Sequence, residues 1–435
     1  MGGGGGRRVV LQGGQSHCSY TGFHLTMPGM LLYVSLTGHG KIVAFEREID
    51  PATGATIGLA MTHEVPCPEP GALATDPAGR FLFAATDTSE LVSFAIDQGT
   101  GRLEHRSTVP AAGAWGASEP AQACMLSTDA TGRFLFTAAY GGGCVAVFSI
   151  ADGGSLGPTP VSLQQTDVGS HWAGTDPTNR YVLAPCIARP NDAGNRLFIF
   201  KFDEQTGELS PSGGVTPPRP PGGAGENRHG NRNERGPRHI AFNPVLPELL
   251  YTSDEQANSV SSWGFDASTG ELRHRHSAET LPTAFEWDRP EGAAGSLASE
   301  IVAHPTGSAV YVGNRHVGTG RPGDPPWTPW DAVPQTVACF AVDRGTGRLL
   351  VEEGSGSGRQ LELTHMADAL AMDRGGSSLF VAGMTTAGHG QLSVATLPAG
   401  RLLEPAIELT VELGEGSLPG MVRLVDLIPG GPPRL

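Results

Sequence analysis

Apolar residues along this chain come in short runs and not in helical stripes. "MLLYVSL" at 30, "FLFAAT" at 81, "LVSFAI" at 91 and "FLFTAA" at 134 are six or seven residues long, with Gly, Asp or Pro close by. No i, i+3, i+4, i+7 pattern is sustained over the length of a helix. Short runs rich in Val, Leu and Phe between turn formers predict strands. With Gly 62 and Pro 35 in 435 residues, turns are abundant and the chain reads as all-β.

The runs are spaced by two recurring phrases. The first is "DPAGRFLF" at 76, "DATGRFLF" at 129, "DPTNRYVL" at 176, "NPVLPELL" at 243, "HPTGSAVY" at 304 and "DRGGSSLF" at 373. The second is "DPATGAT" at 50, "DQGTGRL" at 97, "ADGGSL" at 151, "DEQTGEL" at 203, "DASTGEL" at 266, "DRGTGRL" at 343 and "LPAGRLL" at 397. Each phrase builds a tight turn, with Pro fixing φ and Gly accepting a positive φ. A unit of strand, turn, strand, loop, strand, turn, strand is one propeller blade. Seven copies of the second phrase predict a seven-bladed β-propeller of four-stranded blades, spanning 27–430 as one domain.

The first phrase is missing from blade 1, which begins at its second strand, "MLLYVSL". A spare strand stands at 418–428, "LPGMVRLVDLI". Residues 421–427 are therefore expected to pair with 31–35 and close the ring, removing two open sheet edges. Residues 1–26 are expected to be a disordered extension, with Met27 and Met30, just before the first strand, as alternative starts. Their Arg pair is not followed by an apolar stretch, so no secretory signal is expected.

Charge and cysteines narrow the function classes. A net charge of −15 argues against nucleic acid, which needs a basic face. No run of about 18 apolar residues exists, so no membrane span is expected. The six cysteines have neither CxxC nor zinc spacing and read as reduced thiols of a cytoplasmic protein.

Strand order then decides where chemistry can gather. With strands A (innermost) to D (outermost), the two turn phrases share one rim. The start of A, the end of B and the D–A crossovers share the other. Arg238 and His239 begin strand A of blade 5, and Asp254 and Glu255 end its strand B. His171 begins A in blade 4 and Glu300 begins A in blade 6. Asn314, Arg315 and His316 end B in blade 6, and Tyr140 ends B in blade 3. The long insertions 213–236, 284–296 and 318–335 fall in D–A or B–C connections and rise from the same rim, as binding loops often do.

At these residues the sequence resembles the lactonase-type seven-bladed propellers, the family of propeller-type 6-phosphogluconolactonases and the carboxy-muconate lactonising enzyme. The carrying stretches are "GPRHIAFNP", "YTSDEQANSVSSW", "ASEIVAHPTG…VYVGNRH", "TGRFLFTAAYGGGCVAVF" and "SHWAGTDP", and the resemblance covers about 31–428. It implies a catalytic set of His171, Arg238, Glu255 and Arg315. His239, Glu300, Tyr140 and Asn314 are candidates for substrate binding. Where the family usually has Cys-His at the start of blade 3, this chain has Cys124-Met125. An arginine often found at the start of blade 7 is replaced by Asp368, and "APCIARPNDAGNR" lacks the usual acidic residue. Two fewer basic groups weaken the case for a phosphorylated sugar.

Lactone hydrolysis needs a base to activate water and donors for the carbonyl oxyanion. Glu255 or His171 is the expected base, with Arg238 and Arg315 gripping an anionic lactone and the oxyanion. A carboxylate beside His171 would raise its pKa, which favours His171 as the acid/base group near neutral pH. Replacing either arginine is expected to leave folding nearly unchanged, as for exposed rim charges. No metal or other cofactor is implied, because no His and carboxylate group has ligand spacing. The alternatives are a lactone-forming cycloisomerase of the carboxy-muconate type, whose arginines would grip carboxylates, and a non-catalytic propeller serving as a protein-binding scaffold.

Overall fold

The computed structural model describes residues 7–10, 30–111, 122–187, 194–220, 234–282, 295–317, 335–415 and 419–426. Seven sheets follow one another along the chain, and each pairs its strands in the order A-B-C-D. Blade 5 shows the plan: Pro237–Phe242 (A), Leu249–Asp254 (B), Ser259–Asp266 (C) and Glu271–Glu279 (D), antiparallel throughout. Inner strands of neighbouring blades touch around the ring, save that blade 4 meets Pro237–Phe242 mainly through its strand B, Tyr181–Cys186. The series closes where Ala369–Met372 of blade 7 meets Pro419–Asp426, which in turn meets Pro70–Thr75 of blade 2.

Closure occurs as the sequence predicts. Pro419–Asp426 pairs antiparallel with Met30–Leu36, with Leu31 opposite Val425 and Tyr33 opposite Arg423. Met30–Leu36 and Pro419–Asp426 thus build one sheet from distant parts of the chain, so unfolding either strand opens the ring.

Two blades depart from the four-strand plan. In blade 6 the outer strand is split into Leu349–Leu350 and Arg359–Leu363, both paired to Gln335–Val342. In blade 7, Arg7–Val10 adds a parallel fifth strand against Leu409–Glu412. Those four residues were expected within a disordered extension. Their pairing corrects that reading, because the exposed edge of strand D offers unpaired backbone groups to any extended segment. The rest of 1–26 lies outside the described residues.

The turn phrases have a more specific mechanism than proline and glycine geometry. Asp76 Oδ1 accepts from the backbone N–H of Arg80 and Phe81, and Asp129 Oδ1 does the same for Arg133 and Phe134. In blade 5 the equivalent Asn243 accepts from Val245 and Leu246. An acceptor side chain at the first position therefore holds the A–B turn, a role Asp and Asn share.

The glycine of the second phrase locks adjacent blades. Gly101 has φ +69°, and a Cβ there would lie 1.7 Å from Leu31 Cδ1 of blade 1. Gly270 likewise seats on Tyr181 of blade 4, where a Cβ would approach Cε1 to 2.4 Å. Between blades the apolar strand faces form the core. Its largest fully buried side chains are Trp263, Tyr33, Tyr251 and Tyr311. Their polar atoms are satisfied, since Tyr33 Oη donates to the Gly101 carbonyl of the next blade at 2.5 Å and Tyr311 Oη to that of Leu402 at 2.8 Å.

Candidate active site

Ends of strand B and starts of strand A meet at one mouth of the central channel and enclose a cavity of about 480 Å³. Tyr140, His171, Arg238, His239, Glu255, Glu300 and Arg315 all line it. Seven of the eight residues assigned to catalysis or substrate binding from the sequence thus share one cavity. Asn314 does not line it. Strand alternation turns its side chain away from that of Arg315, and its Nδ2 donates to the Thr280 carbonyl and to Thr336 Oγ1, both at 3.1 Å. Asn314 is a buried structural amide, which corrects its assignment to substrate binding. Glu300 is in place, but within strand A (Gly295–Ala303), at the irregularity between Ala298 and Ile301, and not at its start.

The cationic half of the site is built around one carboxylate. Glu255 Oε2 lies 2.7 Å from Arg315 Nη2 and 3.0 Å from Arg238 Nε. Arg315 Nη1 lies 3.1 Å from Asp368 Oδ1 of blade 7. All but Asp368 are buried, with Arg238 and Arg315 each 7% exposed. Arg238 Nη1 is buried and has no hydrogen-bond partner among the described residues. Burial lowers the pKa of Arg238, with Arg315 adding to the effect and Glu255 opposing it. Burial also opposes the charge of Arg315, yet Glu255 and Asp368 outweigh it and raise its pKa.

The imidazole half is a buried chain. His239 Nδ1 lies 2.8 Å from Glu300 Oε1, and His171 Nδ1 lies 3.1 Å from His239 Nε2. Tyr140 packs edge-on against His171 with ring centroids 5.7 Å apart. The expectation that a carboxylate raises the pKa of His171 is overturned. Its hydrogen-bond partner is another imidazole, and burial, Arg238, His239 and Arg315 hold its pKa well below the usual histidine value. Burial also lowers the pKa of His239, outweighing the opposing Glu300 carboxylate. Both imidazoles are neutral near pH 7. Both nitrogens of His239 are engaged within the protein, so its ring contacts the cavity without a free polar atom.

The remaining lining comes from blades 2, 3 and 7; Cys124 and Asp368 stand out in the sequence only as departures from the family pattern, and Asp87 and Met384 not at all. Asp87 follows strand B of blade 2, Cys124 and Asp368 stand at strand A, and Met384 ends strand B of blade 7. The strand-end rule that found Glu255 and Tyr140 also points to Asp87 and Met384. Met125 is buried in the core, at the position where the family's histidine is lost. Burial pushes the Cys124 thiol up to about 12, leaving it an inert wall.

Asp254, the other rim acid of blade 5, is fully buried below the site. It accepts from Thr252, Ser259 and Ser261 and lies 3.8 Å from Arg235. The insertions 213–236, 284–296 and 318–335 lie mostly outside the described residues. Among the described residues no group of three or more His, Cys, Asp or Glu is placed to hold a metal ion, and no helix is long and apolar enough to cross a membrane.

The fold and site define a seven-bladed propeller with guanidinium, carboxylate and imidazole groups converging at one mouth of its channel. Residues 12–117 and 115–383 match the family model "Lactonase, 7-bladed beta-propeller", and the chain belongs to that family. It is 32% identical over 216 residues to a 6-phosphogluconolactonase of Pectobacterium carotovorum subsp. carotovorum, covering 49% of this chain and 56% of that protein. It is 31% identical over 261 residues to a 6-phosphogluconolactonase of Pectobacterium atrosepticum, covering 59% and 67%. The chain thus spans little more than half to two thirds of these relatives. Among solved structures, the periplasmic gluconolactonase of Pseudomonas aeruginosa shares the fold with a TM-score of 0.65 at 20% identity, covering 92% of this chain and 99% of that one.

Proposed function

We propose that this chain hydrolyses a sugar-type lactone to its hydroxy acid, with an uncharged lactone preferred over its phosphorylated counterpart. The carrying observation is Arg238 Nη1, a buried donor without a partner among the described residues, in a cavity shared with neutral His171. Water loses a proton to His171 as its oxygen bonds to the lactone carbonyl carbon. Arg238 and Arg315 stabilise the resulting oxyanion. Collapse breaks the ring C–O bond, and the departing alkoxide takes the proton back from His171. Glu255 is assigned to holding the two guanidiniums in register, which its 2.7 Å and 3.0 Å contacts support.

Charge supports the uncharged substrate. The lining holds four carboxylates (Asp87, Glu255, Glu300 and Asp368) against two guanidiniums, while His171 and His239 are neutral. A phosphate dianion would enter a site already in negative excess. A cycloisomerase acting on a carboxylate-rich lactone meets the same obstacle. Against the scaffold reading, the exposed large apolar residues among the described ones, Ile57, Met61, Val161, Val245, Leu350 and Val351, all lie outside the cavity lining. Cys67, Cys124, Cys144, Cys186 and Cys339 are free thiols, which fits a cytoplasmic location.

Ring opening followed by pH-stat, with spontaneous hydrolysis subtracted, tests the proposal on gluconolactone, its 6-phosphate and a muconolactone. The expected result is a kcat/KM for gluconolactone at least tenfold above that for the phosphate. Equal or faster opening of the phosphate refutes the substrate assignment, and opening of none refutes the hydrolytic reading.

A further inference from the structure

Two buried groups in the cavity wall, His239 and Glu300, have no assigned role in binding or chemistry once their hydrogen bonds are traced. Their arrangement is directional. Glu300 Oε1 lies 2.8 Å from His239 Nδ1, and His239 Nε2 lies 3.1 Å from His171 Nδ1. All three are held by separate blades: His171 leads into strand A of blade 4, His239 lies in strand A of blade 5 and Glu300 in strand A of blade 6. His239 and Glu300 are 2% and 6% exposed, so little water can substitute for either partner.

We propose that Glu300 and His239 are positioning residues that fix the tautomer of His171, leaving its Nε2 unprotonated as the base. The assignment follows from counting protons. An ionised carboxylate can only accept, so the imidazole nitrogen 2.8 Å from Glu300 Oε1 is the one that carries the proton. Neutral His239 then carries its proton on Nδ1, and its Nε2 can only accept. The donor across the 3.1 Å contact is therefore Nδ1–H of His171. A neutral imidazole with its proton on Nδ1 has its lone pair on Nε2, which is the form that can take a proton from water.

Without the carboxylate two steps away, either tautomer of His171 would satisfy the chain, and one of them is useless as a base. The groups facing His171 support its neutral state. Arg238, His239 and Arg315 each disfavour a charge on its ring, as does burial, and Tyr140 covers it edge-on. Glu300 faces His239 and Arg238, and Glu255 is engaged with the two arginines. The inference rests on the hydrolytic reading only for what the base does. The tautomer itself is independent of it.

Nitrogen-15 imidazole spectra of the wild-type full chain at pH 7.5 test this. The His171 signals are assigned by their loss in His171→Asn. The expected pattern is the Nδ1–H tautomer for both His171 and His239. An Nε2–H tautomer at His171 overturns the proposal whether or not any lactone is opened. In the second arm, Glu300→Leu and His239→Phe are expected to lower kcat on gluconolactone about tenfold or more with KM nearly unchanged. Glu300→Gln, which keeps an acceptor oxygen, should recover most of that loss. Wild-type kcat in folded His239→Phe, or no difference between Leu and Gln at 300, also overturns it. If wild type shows the Nδ1–H tautomer and opens no lactone, the positioning inference stands and only the hydrolytic function falls.

Discussion

Arg315 Nη2 stands 2.7 Å from Glu255 Oε2, although 60 positions separate the two residues in the chain. Both side chains are buried, and the same arginine reaches Asp368 of blade 7 with its other terminal nitrogen. One guanidinium therefore ties blades 5, 6 and 7 together at the cavity mouth. This changes what mutation of the site is expected to do. Sequence reasoning treats these as exposed rim charges of little consequence for folding, but a buried pair broken on one side leaves an uncompensated charge.

Arg315→Ala is expected to destabilise the protein by about 3–5 kcal/mol, the usual cost of removing one partner from a buried ion pair. Arg315→Lys keeps the charge but loses the fork that serves Glu255 and Asp368 together. It should leave the denaturant midpoint close to wild type while lowering kcat on a lactone substrate roughly a hundredfold, the scale of one lost oxyanion donor. Denaturation curves and turnover measured on the same preparations check both halves. Arg315→Ala as stable as wild type would show that the pair is hydrated in solution.

Ring closure makes a prediction about the C-terminus. Removing residues 419–435 takes the inner strand out of blade 1 and exposes the edges of Met30–Leu36 and of its neighbours. The truncated chain is expected to aggregate, since closure contributes to every blade through the ring. Size-exclusion chromatography and thermal unfolding distinguish this from a mild loss. A monomer with nearly unchanged Tm would mean that the strand contributes little.

Acid stability follows from the buried histidines. His365 Nδ1 donates to the Met366 carbonyl and its Nε2 accepts from Ser393 Oγ, and burial lowers its pKa to about 4. His171 and His239 are lowered as well. Above about pH 6.5 these groups are neutral in both folded and unfolded chains and stability is unaffected. Below it the unfolded chain binds protons that the folded one refuses, so stability falls with pH. The slope is about 1.4 kcal/mol per pH unit for each such histidine, continuing for His365 to about pH 4. The raised pKa of buried Asp254, caused by burial, works in the opposite sense at lower pH. Denaturant midpoints at pH 7.5, 6.0 and 5.0 should decline in that order, and a flat profile would contradict the assignment.

The cavity's negative excess can be relieved at one point. Asp368→Asn keeps an oxygen acceptor for Arg315 and removes one charge. Relative kcat/KM for a phosphorylated over an uncharged lactone is expected to rise roughly fivefold, about 1 kcal/mol of relieved repulsion at intermediate dielectric. An unchanged ratio would place the phosphate away from Asp368.

What the sequence determined by itself was periodic. Two turn phrases, repeated six and seven times, specify blades because a turn's chemistry is local. An acceptor side chain at one position and a positive-φ glycine at another act within a few residues of chain. The unpaired strand at each end followed from the same count, and so did the mouth of the channel where Arg238, Glu255 and Arg315 meet. Tertiary structure decided what sits beside each side chain. That His171 faces His239 and not a carboxylate depends on how three blades converge. So does the departure of Asn314 from the cavity, while Arg315 beside it enters. Burial is likewise a property of the closed ring: the same arginine is an exposed rim charge on a strand end read alone, and a buried tie between blades once the ring is complete. Hydrogen-bond partners and desolvation arise between segments far apart in sequence, so no local pattern could carry them.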